Sequence, residues 1–176
     1  MKPMLMIHEV TEWMFDLPLH EYTLTFDDGL YTQYVHFDKI KSIDTDKIFF
    51  ISTGTVATDQ IKQSDEFIQC HAAHHKLFES SDLSHYMNWS QIQEIAKSPR
   101  CEIGAQSHMH IRHAGFNTIR DTKLMMKHFE DNNLTPTSFC FPYNDENEVY
   151  RCLLRHYGFT KFYGKERIDI YDIPHR

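Results

Sequence analysis

The chain has 176 residues and a formal net charge of -7. That length suits one domain, residues 1–176, around one core, and the acidic balance with scattered Lys and Arg argues against a nucleic-acid partner, which needs clustered basic residues. Apolar residues make up 41% and aromatics 14%, and six Gly and six Pro do not point to a fibrous or disordered chain. No apolar run approaches the roughly 20 residues that a membrane helix needs, so no membrane span is expected. The start, Met1 to Glu9, lacks a long apolar segment and a small-residue cleavage site, so no signal peptide is expected there. Cys70, Cys101, Cys140 and Cys152 form no Cys-x-x-Cys pair and read as reduced thiols of a cytoplasmic protein.

Met4 to Val10 is a short apolar run and a plausible first strand. Tyr22 to Phe26 is β-branched and aromatic, a second strand that stops at the turn signal Asp27-Asp28-Gly29. Lys47 to Ser52 holds Ile48-Phe49-Phe50-Ile51, a continuous run suited to a strand buried on both faces. Ser64 to Phe78 reads as a helix with a Ser-Asp-Glu start, and Asn88 to Lys97 as a second, capped by Ser90 and followed by Pro99. Cys101 to Ala105 is a strand entering a polar turn, and Asn117 to Asp131 the clearest helix. Ser138 to Phe141 is a strand ending at Pro142-Tyr143-Asn144. A helix over Glu146 to Tyr157, closed by Gly158, precedes two last strands at Phe159–Tyr163 and Ile168–Tyr171.

Strand, turn and helix thus alternate, which predicts parallel strands with helices packed outside. In such folds ligands bind beyond the carboxyl ends of the strands. Three unusual polar turns follow strands: Asp27-Asp28, Gln106 to His110, and Pro142 to Asn144. On one rim they would converge.

Adjacent carboxylates repel unless one is protonated or a cation sits between them. A divalent metal resolves this, with one Asp as ligand and the other as general base. The second turn supplies imidazoles, the usual nitrogen ligands of zinc: His108 and His110 share a face in a strand, Gln106 and His110 in a helical turn. The third turn has no acid or base, and offers a wall and backbone N–H donors. His71, His74 and His75 include an i, i+4 pair, His71 and His75, of zinc-like spacing. A solvated or packed helix face is the expected reading there.

These three turns, in this order, resemble the polysaccharide deacetylase (NodB homology) family. Thr25-Phe26-Asp27-Asp28-Gly29 matches the family's first motif in full. Glu102-Ile103-Gly104 followed by Gln106-Ser107-His108-Met109-His110 resembles the second, and Phe141-Pro142-Tyr143 the third. Within the family the chain is most similar to the branch encoded with O-antigen genes (WbmS-like).

The resemblance implies an α/β fold, a distorted, incomplete (β/α) barrel of mostly parallel strands with outer helices. It implies metal-dependent hydrolysis of an acetyl group from an N-acetylated sugar. Zinc is the first choice of metal, with cobalt, nickel or manganese as alternatives. The substrate would be a small carbohydrate or a lipid- or nucleotide-linked sugar of lipopolysaccharide O-antigen or surface-polysaccharide biosynthesis. Nothing implies an oligomeric state.

Carried over by residue, Asp27 resembles the base that activates water, Asp28 a metal ligand, His110 a histidine ligand, and the Tyr143 N–H the oxyanion donor. His8, Tyr143 and Pro142 are candidates for substrate contact, and Trp13 and Trp89 for the pocket wall. The family's other histidine ligand falls on Gln106, so Gln106, His108 or His8 could complete the metal shell. Its C-terminal general acid is matched by His175. Its motif-three arginine is missing, leaving Arg112 or Arg167 to pair with Asp27. Two other functions fit the same residues: another C–N amide hydrolase (deformylase or cyclic imidase), or a sugar-binding domain without catalysis.

Overall fold

The computed structural model of the chain describes residues 1–174. Its strands are β1 (Met4–Ile7), β2 (Thr23–Phe26), β3 (Lys47–Ile51), β4 (Cys101–Ala105), β5 (Ser138–Cys140), β6 (Lys161–Tyr163) and β7 (Ile168–Asp169). They form one sheet in the order β6-β5-β4-β3-β2-β1-β7, with every pairing parallel. The sheet curls into a half-barrel with helices outside, the incomplete α/β barrel expected. β6 and β7 lie at opposite edges yet are joined by residues 164–167 alone. Five Cα steps reach at most about 18 Å, so the sheet must curl until its edges nearly meet.

Period-two alternation sorts the strand residues. Leu5, Ile7, Leu24, Phe26, Phe49, Ile51, Ile103, Ala105, Phe139 and Phe141 belong to the large core under the helices. Ile48, Phe50 and Cys140 form a separate small cluster on the inner face. By the same parity Thr25, Asp27 and Gln106 point inward, towards the mouth at the strand ends. β3 is buried along its whole length, as its apolar run predicts.

The helices are α1 (Tyr31–Val35), α2 (Phe37–Ser42), α3 (Cys70–Ser80), α4 (Trp89–Ala96), α5 (Phe116–Asp131) and α6 (Glu148–His156). Two expectations need correction. α3 does not start at Ser64: its first turn is Cys70, whose N–H donates to Glu9 Oε2 at 3.0 Å. A carboxylate 61 residues away therefore takes one of the orphan donors of the helix N-terminus. α4 is capped by Asn88 rather than Ser90, in a capping box with Gln91. α1 and α2 have no counterpart among the predicted helices. Each spans less than two turns, too short for a periodic pattern.

Gly104 lies where the inner face is tightest: a Cβ there would stand 2.5 Å from the Phe50 ring and 3.1 Å from the Ser138 carbonyl. Gly104→Ala should therefore destabilise the fold by about 1–3 kcal/mol, the usual cost of overpacking, read as a lower urea midpoint at unchanged m-value.

Candidate metal and catalytic site

The acidic turn ends β2. Asp27 continues the strand, and its N–H donates to the Ile7 carbonyl at 2.8 Å. Asp28 then takes φ +69° and Gly29 φ +66°, which rotates the second carboxylate onto the same rim as the first. Both are 2% exposed, a burial that strongly disfavours charge unless each carboxylate has a cationic partner.

Asp27 is held by Arg167. Nη1 donates to Oδ1 at 2.6 Å and Nη2 to Oδ2 at 2.8 Å, a bidentate pair. The guanidinium also donates to Thr25 Oγ1, Asn144 Oδ1, Cys140 Sγ and the Gly164 carbonyl. Burial disfavours the Arg167 cation, but the Asp27 carboxylate outweighs it and raises its pKa above the ordinary value. Burial, with Asp27 beside it, pushes the Cys140 thiol well up, so Cys140 stays a neutral packing thiol. Of the two arginines open from sequence, Arg112 lies outside: it pairs with Asp145 at 3.2 Å and covers the Tyr143 ring at 4.5 Å.

Asp28 faces histidines. His110 Nε2 stands 3.1 Å from Oδ1, His74 Nε2 3.0 Å from Oδ2, and His8 Nε2 4.0 Å from Oδ2. Burial opposes ionisation of Asp28, yet His110, His74 and His8 together hold its carboxyl well below the usual carboxylate range. For His8, burial is outweighed by Asp28, Asp27 and Glu9, so its pKa is raised.

Asp28, His74 and His110 offer one oxygen and two nitrogens within 4.8 Å of one another. Among the described residues, Asp28 Oδ1 and His110 Nδ1 are buried without a hydrogen-bond partner. A buried carboxylate with one imidazole nitrogen 3.1 Å from its first oxygen and another 3.0 Å from its second fits a divalent cation. Tyr86 O–H lies 3.2 Å from His74 Nδ1, the outer contact that orients a ligating imidazole.

The other expected ligands lie differently. Gln106 Oε1 accepts from the Asp28 N–H at 2.9 Å and its Nε2 points to Cys140 Sγ, so its amide braces the acidic turn. His108 is turned away from Asp28: its Nδ1 is 2.9 Å from Thr53 Oγ1 and its ring stacks on His128. The reason is the loop. Asp121 accepts from the N–H groups of both His108 and Met109, while Ser107 and His110 take φ +67° and +52°. That fold sends His110 inward and His108 out. By sequence His74 belongs to an ordinary solvated or packed helix face. Only its place on α3, set by the Glu9 cap, brings it to Asp28. His75 pairs with Glu79 at the surface. His175 lies outside the described residues.

A cleft of about 340 Å³ opens over these groups, lined by His8, Asp27, Asp28, His74, His110 and Tyr143. Tyr143 takes φ +59° and meets the His110 ring edge-on. Pro142 is buried under the turn and shapes it rather than lining the cleft. Trp13 packs against Tyr171 and Trp89 against Phe129, both away from the cleft lining.

No protein-family model and no curated protein matches the sequence. Solved structures do match. IcaB from Ammonifex degensii superposes with a TM-score of 0.67 at 18% identity, over 96% of this chain and 84% of that one. A de-N-acetylase from Aggregatibacter actinomycetemcomitans gives 0.67 at 12% identity, over 96% and 93%. The deacetylase PplD of Streptococcus pyogenes, solved with acetate, gives 0.62 at 13% identity, over 90% and 80%. This chain has the fold of those deacetylases.

Arg167→Ala would leave Asp27 buried and unpaired. It should cost about 3–5 kcal/mol, the usual loss when one partner of a buried pair is removed. Arg167→Lys, which keeps the charge but not the two-pronged geometry, should fall between wild type and Arg167→Ala in urea denaturation.

Proposed function

We propose that this chain is a metal-dependent hydrolase that removes the acetyl group from an N-acetylated sugar. Its substrate would be a lipid- or nucleotide-linked precursor of O-antigen or another surface polysaccharide in the cytoplasm. One observation carries this reading: two adjacent buried carboxylates stand in different surroundings, Asp28 among His74, His110 and His8, and Asp27 on Arg167. A module that only binds sugar has no use for such a division. The fold shared with deacetylases supports the reaction class. Among the described residues no helix is long and apolar enough to cross a membrane.

Asp28, His74 and His110 would hold the cation. When bound, a divalent ion supplies Lewis acidity, making water a stronger acid and an amide carbonyl a better electrophile. The remaining steps belong to the chain. Arg167 fixes the Asp27 carboxylate at the cleft floor, where it takes a proton from the attacking water. The Tyr143 N–H, in its left-handed turn, is the proposed donor to the oxyanion that develops. His8, at the edge of the cleft, is placed to contact the sugar, and His175 remains the proposed proton donor to the leaving amine.

Asp27→Asn should retain stoichiometric metal and lose about 10²- to 10⁴-fold in kcat, the range for a general base. Asp28→Ala, His74→Ala and His110→Ala should each bind at least one equivalent of metal less than wild type. The assay is acetate release from N-acetyl sugars, beside elemental analysis of the same preparations. Metal-free wild-type protein without acetate release would end the proposal. A metal content in His74→Ala equal to that of wild type would return the third ligand to Gln106, His108 or His8.

A further inference from the structure

Cys70 and His74 are one turn apart on α3, so both face the acidic turn. His74 belongs to the cluster already described. Cys70 belongs to another: its Sγ, a ring nitrogen of His8 and a carboxylate oxygen of Asp28 all lie within 4.8 Å of one another. The two clusters share Asp28 and no other residue. A tetrahedral zinc ion, with bonds of about 2.0–2.3 Å, sets its ligand atoms about 3.3–3.8 Å apart. Small side-chain rotations would close either cluster on an ion.

The second cluster is built rather than incidental. Glu9 follows His8 at the end of β1, is 3% exposed, and accepts from the Cys70 N–H at 3.0 Å and from the Tyr171 O–H at 2.6 Å. The same carboxylate thus ties the start of α3 to the strand end that carries His8. His8 Nε2 lies between the two aspartates, 3.8 Å from Asp27 Oδ2 and 4.0 Å from Asp28 Oδ2. Asp27 is engaged by Arg167, which leaves Asp28 as the carboxylate able to serve two cations.

We propose that the chain holds a second divalent cation, bound by His8, Cys70 and Asp28, beside the ion held by Asp28, His74 and His110. It rests on that reading of the first ion's ligands. The thiolate donor selects zinc or another thiophilic ion at the second position.

The test is stepwise loading of metal-free protein with Co²⁺, followed by elemental analysis and near-ultraviolet absorption, where thiolate-to-cobalt charge transfer appears. Wild type should bind two ions per chain, the thiolate band growing with the second equivalent. Cys70→Ser should bind one without the band. His110→Ala should bind one and keep the band. One ion per chain with no band would overturn the second site and leave the first intact. A band complete at a single saturating equivalent would also overturn it, by making Cys70 a ligand of one common centre. No binding at all would overturn both. If Cys70→Ser does not fold, alkylation of wild type decides: cobalt should protect Cys70, while the exposed Cys152 reacts with and without metal. Cys70 alkylated equally in both states would sink the proposal.

Discussion

Two carboxylates are buried side by side at the end of one strand, and the rest of the molecule is arranged to make that tolerable. In isolation, burial and mutual repulsion would protonate at least one of them. Here each has its own set of cationic or hydrogen-bonding partners. Asp27 has a guanidinium that reaches it with two nitrogens, and Asp28 has imidazoles on both oxygens. One residue type thus stands in two different surroundings, and the two proposed roles follow from them. A carboxylate locked by Arg167 has a fixed orientation, which suits a base. A carboxylate with an imidazole nitrogen near each oxygen suits a cation.

The curl of the sheet makes the first arrangement available. Arg167 sits in the four-residue connection between the two sheet edges, and its side chain is fully buried. A flatter sheet would need a longer connection, and the guanidinium would not reach Thr25 and Asp27 on β2. The second arrangement depends on α3. Its start is set by Glu9 rather than by a local cap, and Gln33 on α1 draws the His8 and Asp27 carbonyls together. The rim carries backbone strain as well. Asp28, Ser107, His110, Tyr143 and Asn144 all have positive φ without being glycine, a conformation that costs about 1–3 kcal/mol each and persists only where surrounding contacts impose it.

Functional groups here come from unexpected stretches of chain. The family resemblance points to a histidine at position 106, where the chain has glutamine. His74, from a helix after β3, stands beside Asp28 instead, and Gln106 braces the turn from below. The resemblance likewise points to an arginine at the end of β5, where Cys140 and Phe141 stand. Arg167, from the connection between the two sheet edges, is the residue that pairs with Asp27 here.

The strands and the acidic turn were legible because their signals are local. β-branched and apolar runs mark β2 and β3, Asp-Asp-Gly marks the break, and parity along each strand places Asp27 inward. Helices longer than two turns were legible too, within a few residues at their ends, except where a remote carboxylate sets the start of α3. The partners of the two aspartates are another matter. His74 is 46 residues from Asp28, and Arg167 is 140 from Asp27. No spacing rule spans such separations. His71 and His75 have the zinc-like spacing, and His108 lies within the second motif's turn, yet none of the three pairs with Asp28. The sequence by itself determined that a carboxylate pair would sit at a strand end of a parallel α/β fold. Only the tertiary structure decided which histidine and which arginine stand beside it, because that depends on how far the sheet curls and where α3 begins.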